Sequence, residues 1–360
     1  MKFDHPDFEL LKKLVALPTP SGWEFDGQKL LADHLRPVAD TVYFDRHGNL
    51  VATTNTSAPT RVMIEGHCDE IGFMVQYIDD SGMLVMTTVG GITVPLLAGE
   101  RIVIRGRNGK LVNGVFGIRP PHLMKASERD NAAPKDIADL TVDIGASSRA
   151  EAEETIELGA PAVVDAGWRP LCGDRVSCRA FDNRVGAFVV AEALRAVAGE
   201  KLNVAVHMVA SVQEEVGLVG GTTAAFDIHP HVGICVDVGF ASDTPGNDKR
   251  QVGDVRLGRG PIVCFGPTYD QGLRGLIEET AKGISVPVQR QVRNRGSSTN
   301  AWALRLQHGG CPAALISIPL RYMHSAVEVI SLGDVEQSIK LLAAALRAIP
   351  ANPSFSRTGF

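Results

Sequence analysis

The chain has no Cys-x-x-Cys pair, and its six cysteines, Cys68, Cys172, Cys178, Cys235, Cys264 and Cys311, are scattered over 360 residues. A disulfide-stapled scaffold is thereby excluded, and a reducing, cytoplasmic setting is expected. No window reaches ~20 unbroken apolar residues, the length a membrane span needs. The opening "MKFDHPDFELLKKLVALPTPSG" carries acids early and no long apolar core, so no signal peptide is expected either. Neither charge dominates: 36 Lys and Arg face 41 Asp and Glu, a dispersed net −5 that gives no nucleic-acid footprint and no polybasic membrane patch. Internal repeats and low-complexity segments are absent. What is left is a chain long enough for a large core, with more than one domain or a sizeable insertion, suited to peptide or small-molecule substrates.

Apolar spacing predicts helices over Phe8 to Leu17 and Trp23 to Leu35, a hairpin around Asp45 to Gly48, and a strand "TRVMIEG" running into "HCDEIG". From Phe73 to about Val164 the texture becomes short alternating strands joined by Asp-Ser-Gly and Arg-Asn-Gly-Lys turns, a small all-β module. Beyond it helices and strands alternate: a helix over Phe181 to Val197, strands over Leu202 to Val212 and Val232 to Val236, and a short helix from Thr222. A helix over Arg274 to Gly283, a strand over Ala313 to Ile318 and a terminal helix over Leu332 to Ile349 follow. The expectation is an α/β domain, residues 1–72 and 165–360, with a mixed sheet flanked by helices and interrupted by a β insertion, residues 73–164.

Polar clusters sit where apolar strands stop: His67 and Asp69 after "RVMIE", Glu214 and Glu215 after "NVAVHMVASV", Asp237 after "VGICV", and His324 shortly after "AALISIP". Asp182 stands at a helix start. Singly, each has an ordinary reading: an N-cap for Asp182, a solvated loop for the Glu pair, a surface imidazole for either histidine. Together they would converge at the carboxyl ends of an α/β sheet, where ligand sites assemble and where like charges need a cation among them. Adjacent glutamates reach one crevice only if the backbone leaves the strand, as Gly217, Gly220 and Gly221 would permit; one could then bind metal and the other act as base. Oxygen and imidazole donors suit Zn²⁺, Co²⁺ or Mn²⁺. Cys68 reads as a packing cysteine, His122 either as approaching the site from the insertion or as interfacial or structural, and "GSSTNA" as a loop that shapes the pocket.

In order along nearly the whole chain, "EGHCDEIGFMV", "GVFGIRPPHL", "TVDIGA", "AFDNRVG", "VQEEVGLVGG", "VDVGFASDTPG", "GRGPIV" and "IPLRYMHSAVEV" resemble the M42 metallo-aminopeptidases, which include tetrahedral aminopeptidases and proteins labelled endoglucanase M. The resemblance implies a zinc-peptidase α/β fold whose inserted β domain helps build dimers into a hollow dodecamer. It implies one metal on His67 and Asp237, a second on Glu215 and His324, Asp182 bridging, Asp69 orienting His67, and Glu214 as general base. Two ions, Zn²⁺ or Co²⁺, would serve hydrolysis of the amino-terminal residue of short peptides. Where members commonly read Gly-Thr-Asp-Ala, this chain has Ser298-Thr299-Asn300-Ala301, which bears on substrate preference. An oligomeric scaffold with an idle metal site, or a glycosidase, are the alternatives.

Overall fold

The computed structural model describes residues 6–125, 133–294 and 299–355; Met1 to His5 of the opening stretch and Gly296, Ser297 and Ser298 of "GSSTNA" lie outside the described residues. Eight strands form a mixed sheet in the order Thr41–Phe44, Leu50–Thr54, Ala205–Ser211, Arg61–His67, Val232–Phe240, Ala313–Leu320, Ile262–Phe265 and Gln289–Val292. The middle four run parallel, while Leu50–Thr54 and Ile262–Phe265 join them antiparallel. Successive residues point to opposite faces. Val62 and Ile64 therefore pack with the helices Phe8–Ala16, Phe181–Val197 and Leu332–Ala348, whereas Met63 packs with Val219–Ile228 and Asn300–Arg305 on the other side. Burial of both faces is why these strands read as unbroken apolar runs.

Six further strands, Gly72–Ile78, Leu84–Val89, Thr141–Asp143, Leu111–Gly117, Arg101–Arg105 and Pro161–Val164, close into a barrel in that order. It has its own core: the Phe73 and Phe116 rings meet edge-on at 5.1 Å, among Met86, Ile102, Ile104 and Val142. Asp79 Oδ1 accepts from the amides of Ser81 and Met83, fixing the expected Asp-Ser-Gly turn.

Sequence pattern and structure part company in a few places. The short helix begins at Val219, three residues before Thr222. The strand from Val232 runs on to Phe240. Ile262–Phe265 and Gln289–Val292 carry no strong alternation; the second, "QRQV", is an edge strand held by its pairing to the first.

Two contacts bring the sheet and the helix Phe181–Val197 together beside the polar ends. A Cβ on Gly66 would fall 2.5 Å from the backbone carbon of Gly186, so strand and helix touch main chain to main chain. Buried Arg184 spans the same junction, donating to the carbonyls of Leu14, Leu17 and Thr19 and, from Nη2, to Glu70 Oε1 at 2.7 Å. Gly66→Ala should therefore lose about 1–3 kcal/mol or more in urea unfolding. Gly275→Ala, on the helix Gln271–Gly283 with open space around it, should instead gain ~0.5–1 kcal/mol; equal effects would remove the close-contact argument.

Candidate metal centre

The residue order of each strand end decides which side chains meet. His67 is the last residue of Arg61–His67 and lies opposite Ser211 on the neighbouring strand. Asp237 does not follow a strand as its sequence position suggested; it sits inside Val232–Phe240, opposite Ser317. With Gly66 facing the helix Phe181–Val197, the pleat turns Glu65 and His67 the other way.

Asp182 is the second residue of that helix, yet its φ of −79° and ψ of 105° are not helical, and the helix start has no side-chain cap. The N-cap reading fails for it. The Asp182–Asn183 peptide is cis. The Asp182 amide donates to Glu328 Oε2 and the His324 amide to Glu328 Oε1, both at 3.1 Å, so one buried carboxylate holds both backbones.

Asp69 does the same for the glutamate pair: the Glu214 amide donates to Asp69 Oδ1 and the Glu215 amide to Oδ2, each at 3.1 Å, and Ser21 Oγ also donates to Asp69. The chain leaves the strand earlier than expected, at Gln213 with φ 54°, and Gly217 follows with φ 127°. Gly220 and Gly221 serve a different purpose from the one their sequence position suggested. A Cβ on Gly220 would lie 2.3 Å from Val212 O, and one on Gly221 2.4 Å from Asn300, so both are glycine for want of room.

Asp182 stands between the two histidines. Its Oδ1 is 3.4 Å from His67 Nε2 and its Oδ2 is 3.4 Å from His324 Nε2. His67 Nε2 is also 3.8 Å from Asp237 Oδ1 and from Glu214 Oε2, and His324 Nε2 is 3.6 Å from Glu215 Oε1. Those gaps exceed hydrogen-bond lengths. Two ligands at usual bond lengths on one tetrahedral ion lie ~3.3–3.6 Å apart, close to most of the spacings here. Within each of three sets, His67/Asp182/Asp237, Asp182/Glu215/His324 and His67/Glu214/Glu215, the donor atoms lie within 4.8 Å of one another.

The charges agree with the spacing. Burial, and then their neighbours' charges, push Glu214, Glu215 and Asp237 above the usual carboxylate range. Burial would raise Asp182 as well, but the imidazoles of His324 and His67 hold it below that range. Asp182 beside it raises His324 to about 9, and the carboxylates of Glu214 and Asp69 hold His67 well above its ordinary value against the lowering effect of burial. Even with both imidazoles charged, the acids outnumber them, and a divalent cation fits this donor set. His67 Nδ1 lies 3.2 Å from Asp69 Oδ1, near but off the line of a hydrogen bond.

Of the remaining sequence candidates, Cys68 is fully buried in the main core, and burial pushes its thiol up to about 12. His122 is exposed and does not line the cleft; Thr299 does. Glu328 and Glu65 carry no signal in sequence, since a lone glutamate announces its partners only once the strands are paired. Among the described residues no helix is long and apolar enough to cross a membrane.

Fold and site together define a hydrolase with a place for metal. The chain belongs to the M42 peptidase family: the model described as M42 glutamyl aminopeptidase matches residues 48–341. It is an aminopeptidase by family, a hydrolase acting on peptide bonds. It is 37% identical over 345 residues to a lysyl aminopeptidase of Pyrococcus furiosus, covering 95% of this chain and 97% of that one. Among solved structures, a TET aminopeptidase from the archaeon Thaumarchaeota archaeon SCGC AB-539-E09 superposes with a TM-score of 0.90 at 32% identity, covering 95% of this chain and 96% of that chain. The Pyrococcus horikoshii TET1 peptidase, described as able to assemble into a tetrahedron or a large octahedral shell, does so with 0.83 at 31% identity, covering 94% and 98%.

Asn300, the departure from the family's usual aspartate, lies beneath the crevice. Its Nδ2 donates to Glu65 Oε1 at 2.7 Å and to Ser211 Oγ at 3.0 Å, and Ser211 Oγ donates to the same Glu65 oxygen at 2.5 Å. Burial raises Glu65 and these donors oppose the rise. Asn300→Asp would put a second carboxylate against Glu65, at a cost of about 1–3 kcal/mol in stability. The carboxyl pair would keep a proton that the unfolded chain releases, so the deficit should deepen as pH rises from 5 to 8. Urea melts across that range test it; a deficit that shrinks with pH would contradict it.

Proposed function

We propose that the chain is a two-metal aminopeptidase of zinc-peptidase-like fold that removes the amino-terminal residue of short peptides. The single observation behind this is the sharing of Asp182, whose two oxygens face His67 and His324. One ion would rest on His67 and Asp237, the other on Glu215 and His324, with Asp182 between them. Zn²⁺ or Co²⁺ fits these donors. Two such ions supply a water that ionises near neutral pH and polarise the scissile carbonyl.

The chain's own residues then divide the work. Glu214 belongs to neither Asp182-containing donor set. It takes the proton from the attacking water on its carboxylate and passes it to the leaving nitrogen, giving a free amino acid and a shortened peptide. Asp69 holds His67 through its Nδ1 side and fixes the Glu214 loop. Glu328 fixes Asp182 and His324 from behind. A glycosidase would use two carboxylates on opposite sides of a bond and would leave both histidines without a part.

Residues 1–72 and 165–360 would form the catalytic domain, and residues 73–164 an oligomerisation domain. Leu111, Val115, Ile118 and Leu123 stand exposed on the barrel, an apolar surface suited to a second copy. The TET1 relative's tetrahedral and dodecameric assemblies support dimers that build a dodecamer; the proposed enzyme would work in the cytoplasm on short peptides, and on neither nucleic acid nor membrane.

Chelator-stripped protein should cleave aminoacyl-anilides only after Zn²⁺ or Co²⁺ is restored, with stepwise amino-terminal loss seen by mass spectrometry. Glu214→Gln should lower kcat by about 10²–10⁴-fold while still binding metal; a metal-replete variant as fast as wild type sinks the assignment. Asp69→Asn should weaken metal affinity about 10–100-fold, measured by competition with a chromogenic chelator.

A further inference from the structure

The cleft that gathers the acids also presents one guanidinium. Its space, about 500 Å³, is lined by His67, Glu214, Asp237, Phe240, Arg293 and Met323 among others, and Arg293 is the only Arg or Lys among its described lining residues. The backbone at this position is anchored. Arg293 directly follows the strand Gln289–Val292, its amide donates to Phe265 O at 2.8 Å, and its carbonyl rests on Gly266, where a Cβ would fall 2.0 Å away.

The side chain is poorly satisfied. Nη2 donates to Gln291 Oε1 at 3.3 Å, Cζ lies 5.7 Å from the Phe240 ring centroid, and buried Nε has no hydrogen-bond partner. No carboxylate among the described residues pairs with it, although four acids line the same cleft. A guanidinium offers five donors in a planar fork that matches a carboxylate. Left half-buried with only neutral partners, Gln291 and the Cys264 thiol, it is a site awaiting an anion.

We propose that Arg293 binds a carboxylate of the substrate. The inference rests on the peptidase reading above and adds what that reading leaves open, since family membership spans glutamyl and lysyl names. The carboxylate has two possible sources: the side chain of an acidic amino-terminal residue, or the free carboxyl end of a very short peptide. In either case a lysine side chain is disfavoured near Arg293 by like charge. If Arg293 served only to offset the acids of the cleft, its loss would affect every substrate alike.

The test compares wild type, Arg293→Gln and Arg293→Lys, all metal-restored. The substrates are glutamyl-, leucyl- and lysyl-p-nitroanilide, and Leu-Gly against Leu-Gly-amide. A fall of about 10–100-fold in the glutamyl-to-leucyl ratio of kcat/KM in Arg293→Gln, partly restored in Arg293→Lys, supports the side-chain source. The same fall in the Leu-Gly to Leu-Gly-amide ratio supports the terminal source. Uniform loss across substrates, or no change in either ratio, overturns the proposal while leaving the peptidase reading intact. Calorimetric binding of glutarate needs no turnover: wild-type binding that weakens about 10–100-fold in Arg293→Gln supports the proposal even if no peptide is cleaved, and equal binding or none overturns it.

Discussion

The constraint that governs this molecule is charge crowding. Asp182, Glu214 and Asp237 are buried, and Glu215 sits beside them, around only two imidazoles. Such a cluster disperses unless each backbone is held. Two more buried acids do the holding: Asp69 takes the amides of Glu214 and Glu215, and Glu328 those of Asp182 and His324. Four of the six clustered residues are thus fixed through main-chain hydrogen bonds, which leaves their side chains free to face the crevice. Asp69, which accepts its two amides beside His67, stays below the usual carboxylate range despite burial and so adds negative charge behind the cluster, whereas burial pushes Glu328 well above that range.

Much of this was legible in the chain itself. Apolar runs that stop at His67, Glu214 and His324 announced strand ends on one side of a sheet, and the alternating stretch after Phe73 announced a separate all-β module, which closes into a barrel. What escaped depended on contacts between distant segments. Asp237 belongs inside its strand because Ala313–Leu320 pairs with it as far as Phe240. Gly220 and Gly221 look like turn glycines and Gly66 like any strand residue, but each is glycine because another part of the chain lies against it. Glu328 is anonymous until the strand Glu328–Ser331 pairs with Arg175–Cys178 beside the helix that carries Asp182.

Asn300 shows the same limit from the other side. As a departure from the family's aspartate it suggested an altered substrate pocket, yet its amide is spent on Glu65 beneath the strand ends. A neutral donor suits a position facing a buried carboxylate that Ser211 also serves. The substitution is coherent with the chain's own Glu65, and it leaves the set of acids and histidines above it complete.

The lining of the cleft is mixed: acids held by strand ends and their loops share it with Arg293, which follows the edge strand, and with Phe240 and Met323. Asp182 and His324 also border a second cavity of about 160 Å³, walled by Phe73, Leu97 and Val164 of the barrel region and by Val327. A peptide entering would meet negative charge, positive charge and apolar surface. A charged amino group is drawn to the acids and a carboxylate to Arg293, while an aliphatic side chain finds room under the barrel. Orientation of the substrate then follows from where charge is placed on rigid elements, before any metal chemistry begins.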